Sequence, residues 1–324
     1  MVAGFINPNQ APYHAAQNGS TNDAAALNAA LADCASQGKD LWAPFGSRYA
    51  IGSTVTIPAG VSVEGSLRLQ WTGGTAGPAV AVGASGTVNR LARLALDRTG
   101  GAGAWGGAND DGVRLFNPQG CVLRIANARG FTRGVLLVAD GGLEAFGNLI
   151  ELGQVTDNQH AVELDARGGA ASAIHDNLLI GTRGSVFSSV GGNNTDTPHG
   201  LWRIVSSDGS AAANLRNNLW LKPSYEGGRH SSLSQLIEYY LFTQGAENEV
   251  WALRDESGMD VAAGDGHLIA DGASAEYNLL TNGYYTGGNP LTIRRQNGAP
   301  AGRNGANAWR PASQNMNAIG GIKV

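Results

Sequence analysis

The chain has 324 residues, of which 48 are glycine and only 15% are charged, against roughly 25% charged residues in ordinary soluble domains. Hydrophobic residues make up 42%, enough to fill a core, which excludes wholesale disorder. Net charge is −4 and just three of the 22 basic residues are lysines (Lys39, Lys222, Lys323), so no basic field invites a nucleic-acid backbone.

No apolar run reaches the ~18 to 20 residues of a membrane helix, so membrane insertion is not expected. The residues up to Tyr13 carry neither the basic start nor the apolar stretch of an export signal, so no signal peptide is read. Cys34 and Cys121 lie too far apart for a disulfide framework or a four-ligand metal site, and read as buried small hydrophobes. His175-Asp176 and Asp255-Glu256 lack any recognised metal-ligand spacing. Neither a metal nor a cofactor is expected.

In chain order, the first element is a helix over Asp23 to Ala35, with Leu27, Leu31 and Cys34 at helical spacing, Ser20 and Thr21 as capping hydroxyls, and Gly38 to end it. The period then changes. Thr54 to Ile57 and Val61 to Val63 alternate around a turn at Pro58 to Gly60, and short strands continue to about Ile293.

Within that region Asn precedes a short apolar run five times: Asn148-Leu149-Ile150, Asn177-Leu178-Leu179, Asn218-Leu219-Trp220, Asn248-Glu249-Val250 and Asn278-Leu279-Leu280, at intervals of 29, 41, 30 and 30 residues. A second series interleaves, in which a small residue precedes an alternating strand: Gly112 to Leu115, Gly134 to Leu137, Ala161 to Leu164 and Gly266 to Ile269. A unit of about 30 residues with two short strands and no helix cannot bury its own apolar face, so units must stack as a parallel β-solenoid. Stacked asparagines at a turn bond one another at the strand spacing of ~4.8 Å. Residues 50 to 295 hold eight or nine such coils, and the long interval carries a surface loop over Ser188 to His199.

Three segments now resemble the entry segment of pectate-lyase-like right-handed β-helix proteins: Asn18 to Ala24; Leu41-Trp42-Ala43-Pro44-Phe45-Gly46 with Tyr49 to Ile51; and Ile57 to Gly65. Asn18 stands where that superfamily usually has Asp, and Phe45 where a second Pro is common. The resemblance implies an all-β, right-handed, single-stranded parallel β-helix closed by a short N-terminal capping α-helix. Residues 1–50 read as the cap, 51–295 as the β-helix and 296–324 as a C-terminal tail. The richness in Gly and Asn and the irregular coil lengths resemble bacteriophage tailspikes. These are polysaccharide depolymerases, which implies a bacterial surface polysaccharide as partner and a virion-tail or extracellular location. Their catalytic residues sit in no shared motif, so candidate sites come from strand geometry.

With the ladder Asn inward, alternation puts Ile150, Leu179, Trp220, Val250 and Leu280 inside. Seven of the ten intervening outward positions are then large and apolar: Leu149, Leu178, Leu219, Leu279, Ile180, Leu221 and Trp251. Such a stripe calls for cover, and a parallel homotrimer supplies it. Alternatives are a register one residue different, or the C-terminal segment folded over the stripe.

In the second series, Val162 and Leu164 inward turn Glu163 and Asp165 outward on one shared surface. Successive outward residues lie ~6.6 Å apart, within reach of the ~6.5 to 9.5 Å carboxyl spacing of an inverting glycosidase. Asp157 and Glu238 are further catalytic candidates. Arg203, one coil on, is suited to hold a substrate carboxylate or keep one acid ionised. Trp202, His160, Tyr239 and Glu151 complete the candidate substrate-binding set, and Tyr225, Tyr240 and Trp251 offer further rings for sugar stacking. Asp196 and His199 in the inserted loop are candidates for a groove wall. The leading function is a glycoside hydrolase that depolymerises a surface polysaccharide. The alternatives are a polysaccharide lyase with His160, Tyr239 or Arg203 as base, and a non-catalytic glycan-binding adhesin or tail component.

Overall fold

The computed structural model describes residues 4–74, 77–83, 89–98, 109–185, 200–211, 214–225, 240–242, 245–255, 268–271, 279–285, 293–296 and 308–311. Their strands form three sheets of fifteen, nine and three strands, in which every neighbour met along a sheet comes from the next coil. The nine-stranded sheet carries one strand per coil, in line with the spacing read from the sequence. Asn278, Gly266, His267 and the Ser188 to His199 insertion lie outside the described residues.

Helix α1 (Ala24–Gln37) closes the N-terminal end, burying Ala24, Leu27, Ala30, Leu31 and Cys34 against the first strands. Gly38 ends it in the left-handed region at φ 60°, and the Lys39 amide bonds back to the Cys34 carbonyl. The cap at the other end is not the one expected. Ser20 and Thr21 instead give their amides to Asn18 Oδ1, and it is Asn22 Oδ1 that accepts from the Ala24 amide at 3.2 Å. Asn22 also accepts from the Gly52 amide, so one side chain ties the helix to the first coil. Among the described residues no helix is long and apolar enough to cross a membrane.

The asparagine ladder is present and bonded from Asn148 to Asn248. Asn148 Nδ2 donates to Asn177 Oδ1 at 2.7 Å, Asn177 Nδ2 to Asn218 Oδ1 at 2.8 Å, and Asn218 Nδ2 to Asn248 Oδ1 at 2.9 Å, all with the side chains buried. Each ladder residue follows one in the left-handed region, namely Gly147, Asp176, Asn217 and Glu247. Such a residue turns the chain at a corner of the coil. The same signature extends the ladder further back than the sequence reading did. Gly120, at φ 63°, precedes Cys121, whose amide donates to Asn148 Oδ1 and whose Sγ accepts from the Asn89 amide at 3.4 Å. Asn89 and Cys121 are therefore the first two rungs.

Ile150, Leu179, Trp220 and Val250 point inward and are at most 3% exposed, as alternation requires. The second series is also in register, with Val113, Val135, Val162 and Trp202 stacked one above another inside. Small residues head these strands for steric reasons: a Cβ on Gly134 would lie 2.5 Å from Val155 Cγ1 and 2.8 Å from the Ala161 carbonyl. The third sheet, Glu144–Phe146, Ala173–His175 and Leu215–Arg216, is a strand type the sequence reading did not separate.

Candidate functional site

On the nine-stranded sheet, alternation correctly turns Glu163 and Asp165 away from the core, but they do not share an open surface. Each is 1% exposed. Glu163 accepts from Arg203 at 3.0 Å and lies 3.5 Å from Arg133, while Asp165 accepts from the amide and hydroxyl of Ser207, both at 2.9 Å, and pairs with Arg167. Arg133 also bonds Asp111, which Arg114 bonds as well, so acids and bases interleave from coil to coil. Burial pushes the Glu163 carboxyl above the usual carboxylate range, with Arg203 and Arg133 pulling it back. The expected Glu163–Arg203 contact is real; Arg133 and Asp111 escaped the sequence reading.

The remaining candidates divide. Trp202 is a correction, since it is wholly buried and packs edge-on against Trp220 with ring centroids 5.6 Å apart, so it offers no face to a sugar. Its register with Val162 dictates that orientation. His160, 5% exposed, sits opposite Arg133 on the same covered sheet. Glu151 pairs with Arg124 at 2.6 Å and Asp157 with Arg129 at 2.6 Å, both on the fifteen-stranded sheet. Trp251 is 47% exposed and donates to Glu249. Glu238, Tyr239, Asp196 and His199, and the side chains of Tyr225 and Tyr240, lie outside the described residues.

Among the described residues a groove lies on the fifteen-stranded sheet. The strands Arg90–Arg98, Val122–Arg129 and Leu149–Thr156 lose their alternation midway, at Ala92-Arg93, Ala126-Asn127 and Gly153-Gln154, where two consecutive residues are at least partly exposed. Alternation broken in this way marks a bend, and the bend needs small residues: a Cβ on Gly153 would lie 2.3 Å from the Ala126 carbonyl oxygen. The resulting trough holds a groove of 660 Å³, with a neighbouring lobe of 400 Å³ that shares Arg93 and Ala126 and reaches Arg124 and Glu151.

Strand register makes the groove basic. One outward column runs Arg48, Arg68, Ala95, Asn127, Gln154, and the column beside it runs Gln70, Asp97, Arg129, Thr156. Arg93 projects from the bend, and all four arginines line the groove. Arg129 is held by Asp157, whereas Arg48, Arg68 and Arg93 are exposed with no carboxylate partner among the described residues. Asp97, bonded by Asn127, is the one acid lining the groove. Gly19 sets Arg48 in place, because a Cβ there would come 3.0 Å from Arg48 Cδ.

Like charges directly opposite each other on neighbouring strands repel. Arg48 over Arg68, one rung of ~4.8 Å apart, is therefore a local cost that a bound anion would remove. Planar guanidinium forks suit carboxylate or sulfate groups, which they bond two at a time.

No protein-family model matches the chain, and no curated protein matches it. Among solved structures, the Geobacillus virus E2 ORF18 protein aligns at a TM-score of 0.57 with 13% identity, covering 95% of this chain and 60% of its own. The Dettilon tailspike protein gp208 aligns at 0.41 with 14% identity over 95% of this chain and 68% of that one, and the Agl-KA catalytic domain at 0.30 with 10% identity over 96% and 69%. The chain is a parallel β-helix of the kind found in phage proteins, at low identity, and spans less than two thirds of the ORF18 protein.

Proposed function

We propose that the chain is a tailspike-like protein of a virion tail, or an extracellular one, that grips an acidic bacterial surface polysaccharide in the arginine groove and cleaves it. The observation that carries this reading is the set of three arginines, Arg48, Arg68 and Arg93, with no carboxylate partner among the described residues, on one trough of a chain whose net charge is −4. A neutral glycan would offer them hydroxyl acceptors but no charge to neutralise. The likeness of the fold to a phage protein supports the setting.

For cleavage, hydrolysis by a carboxyl pair is the leading reaction. Asp97 is the acid that lines the groove, opposite Arg129 in register, and Asp157 is bonded to that arginine. Glu163 and Asp165 are the other pair, with the raised Glu163 carboxyl in their favour and their cover against them. Asp97→Asn and Asp157→Asn are expected to lower cleavage of acidic capsular polysaccharide by more than about 100-fold while binding persists. Glu163→Gln is expected to lower stability and leave the activity of the remaining folded protein near wild type; loss of cutting with folding intact would move the reaction to the nine-stranded sheet. The arginines favour a lyase as second reading, since a neutralised uronate carboxylate makes the adjoining C–H easier to deprotonate. An unsaturated, ultraviolet-absorbing product would identify it.

The fifteen-stranded sheet supports self-association. Val122, Leu149, Leu178 and Leu219 stack on its outer face, with Ile180, Leu221 and Trp251 in the adjoining column. We read this stripe as the contact of a parallel homotrimer with right-handed coils, the hand that parallel crossovers take. Light scattering should give three times the chain mass, and Leu178→Glu should give monomers; a wild-type monomer would rule the trimer out.

A further inference from the structure

Three large rings crowd the N-terminal end of the fifteen-stranded sheet without being buried. Phe5 is 53% exposed, Trp42 37% and Phe45 73%. They contact one another edge-on, with Phe5 and Trp42 centroids 6.0 Å apart and Trp42 and Phe45 centroids 6.3 Å apart. The core gains little from them, because Trp42 points outward between the buried Leu41 and Ala43. Water disfavours apolar rings left in contact with it, so an exposed cluster of this kind marks a binding surface.

Its surroundings indicate the occupant. Phe45 stands on the turn from Pro44 to Ser47 that leads directly into Arg48, and it lines the arginine groove itself. On the other side Trp42 is in register with Glu64, which pairs with Arg90. The rings therefore form a small apolar island between charged groups, continuous with the groove through one residue. Three side chains fall far short of the ~800 Å² per partner of a stable protein interface. They match the apolar C–H face of one or two pyranose rings, which stack on aromatic rings while their hydroxyl and carboxyl groups stay polar.

We infer that Phe45 and Trp42 form a stacking subsite for sugar rings of the acidic polymer whose carboxylates Arg48 and Arg68 hold, so that the binding surface extends past the arginines to the cap of the solenoid. This rests on the acidic-glycan reading of the groove. It adds a length requirement at Trp42: a short oligosaccharide anchored on the arginines meets Phe45, which lines the groove, whereas a longer one reaches Trp42 as well.

The test uses the full chain and purified galacturonate, mannuronate and glucuronate-containing oligosaccharides, as disaccharides and as octasaccharides, followed by calorimetry and tryptophan fluorescence. Wild type is expected to change its emission with octasaccharides, and Trp42→Ala to lose that change. Phe45→Ala should weaken binding of both lengths about three- to tenfold, with Phe45→Tyr restoring it, whereas Trp42→Ala should weaken octasaccharide binding more than disaccharide binding. Octasaccharide affinity untouched by Phe45→Ala and Trp42→Ala, but lowered by Arg68→Gln, overturns the stacking subsite and leaves the groove reading standing. Absence of binding by every acidic oligosaccharide overturns both. A change of oligomeric state in Phe45→Ala, with affinity unaltered, assigns the rings to a second copy of the chain and also overturns the subsite.

Discussion

Asn177→Ala is expected to cost about 3 kcal/mol of folding stability, read in a denaturant titration. The Asn177 side chain is 1% exposed and makes five hydrogen bonds. Its Oδ1 accepts from the Asn148 amide at 3.2 Å and from Asn148 Nδ2 at 2.7 Å; its Nδ2 donates to Asn218 Oδ1 at 2.8 Å, to the Ala145 carbonyl at 3.1 Å and to the His175 carbonyl at 3.0 Å. Alanine leaves a main-chain N–H at Asn148 without its acceptor in a site closed to water, and each such group costs about 1–3 kcal/mol. The loss stays below the simple total because Asn148 Nδ2 keeps the Pro118 carbonyl and Asn218 Oδ1 keeps the Asn177 amide.

The same reasoning reverses sign one end of the ladder away. At Cys121 the Asn89 amide meets a weakly accepting sulfur. Cys121→Asn supplies a stronger acceptor on a backbone already shaped by Gly120, and should raise stability by about 1 kcal/mol. A fall instead would mean that the corner is too tight for the larger side chain, while a neutral Asn177→Ala would undo the ladder as a source of stability.

How much of this was legible in the sequence depends on the distance over which each feature is encoded. The ladder and the inward faces were readable because Asn148, Asn177, Asn218 and Asn248 repeat a local turn at a nearly fixed interval, and alternation within each strand then follows from the pleat. Asn89 and Cys121 were missed because one precedes an arginine, not an apolar run, and the other is not an asparagine; for Cys121 the left-handed Gly120 before it was the signal that would have found it. Glu163 and Asp165 were placed outward correctly, yet alternation within a strand says nothing about what lies over it, so their burial could not be read. For Trp202 the information was present, since the frame that turned Arg203 outward turns its neighbour inward. The groove was the least legible feature. Arg48, Arg68 and Arg93 sit 20 and 25 residues apart, short of the repeat of about 30, and meet only because the first coils are shorter and the strands bend.

Those arginines give the second large effect, and their role predicts a particular pair of signs. A guanidinium kept for folding would lower both stability and binding when removed. Arg68 is exposed, has no carboxylate partner among the described residues, and lies directly beneath Arg48 in register. Arg68→Gln keeps much of the side-chain stem over the sheet and relieves the repulsion, so thermal stability should hold or rise by up to about 1 kcal/mol. Binding of acidic polysaccharide should nevertheless fall about tenfold, since hydrogen bonds to a charged group contribute about 1.5 kcal/mol or more. Arg48→Glu with Arg68→Glu goes further. Reversing both charges sets two carboxylates against an anionic chain, and affinity should drop by more than about 100-fold at low salt, with the difference shrinking as salt screens the groove. Wild-type affinity should itself decline with ionic strength. Affinity indifferent to salt and to both reversals would refute the arginine groove as the seat of binding. Stability that falls with Arg68→Gln would turn these side chains into parts of the fold.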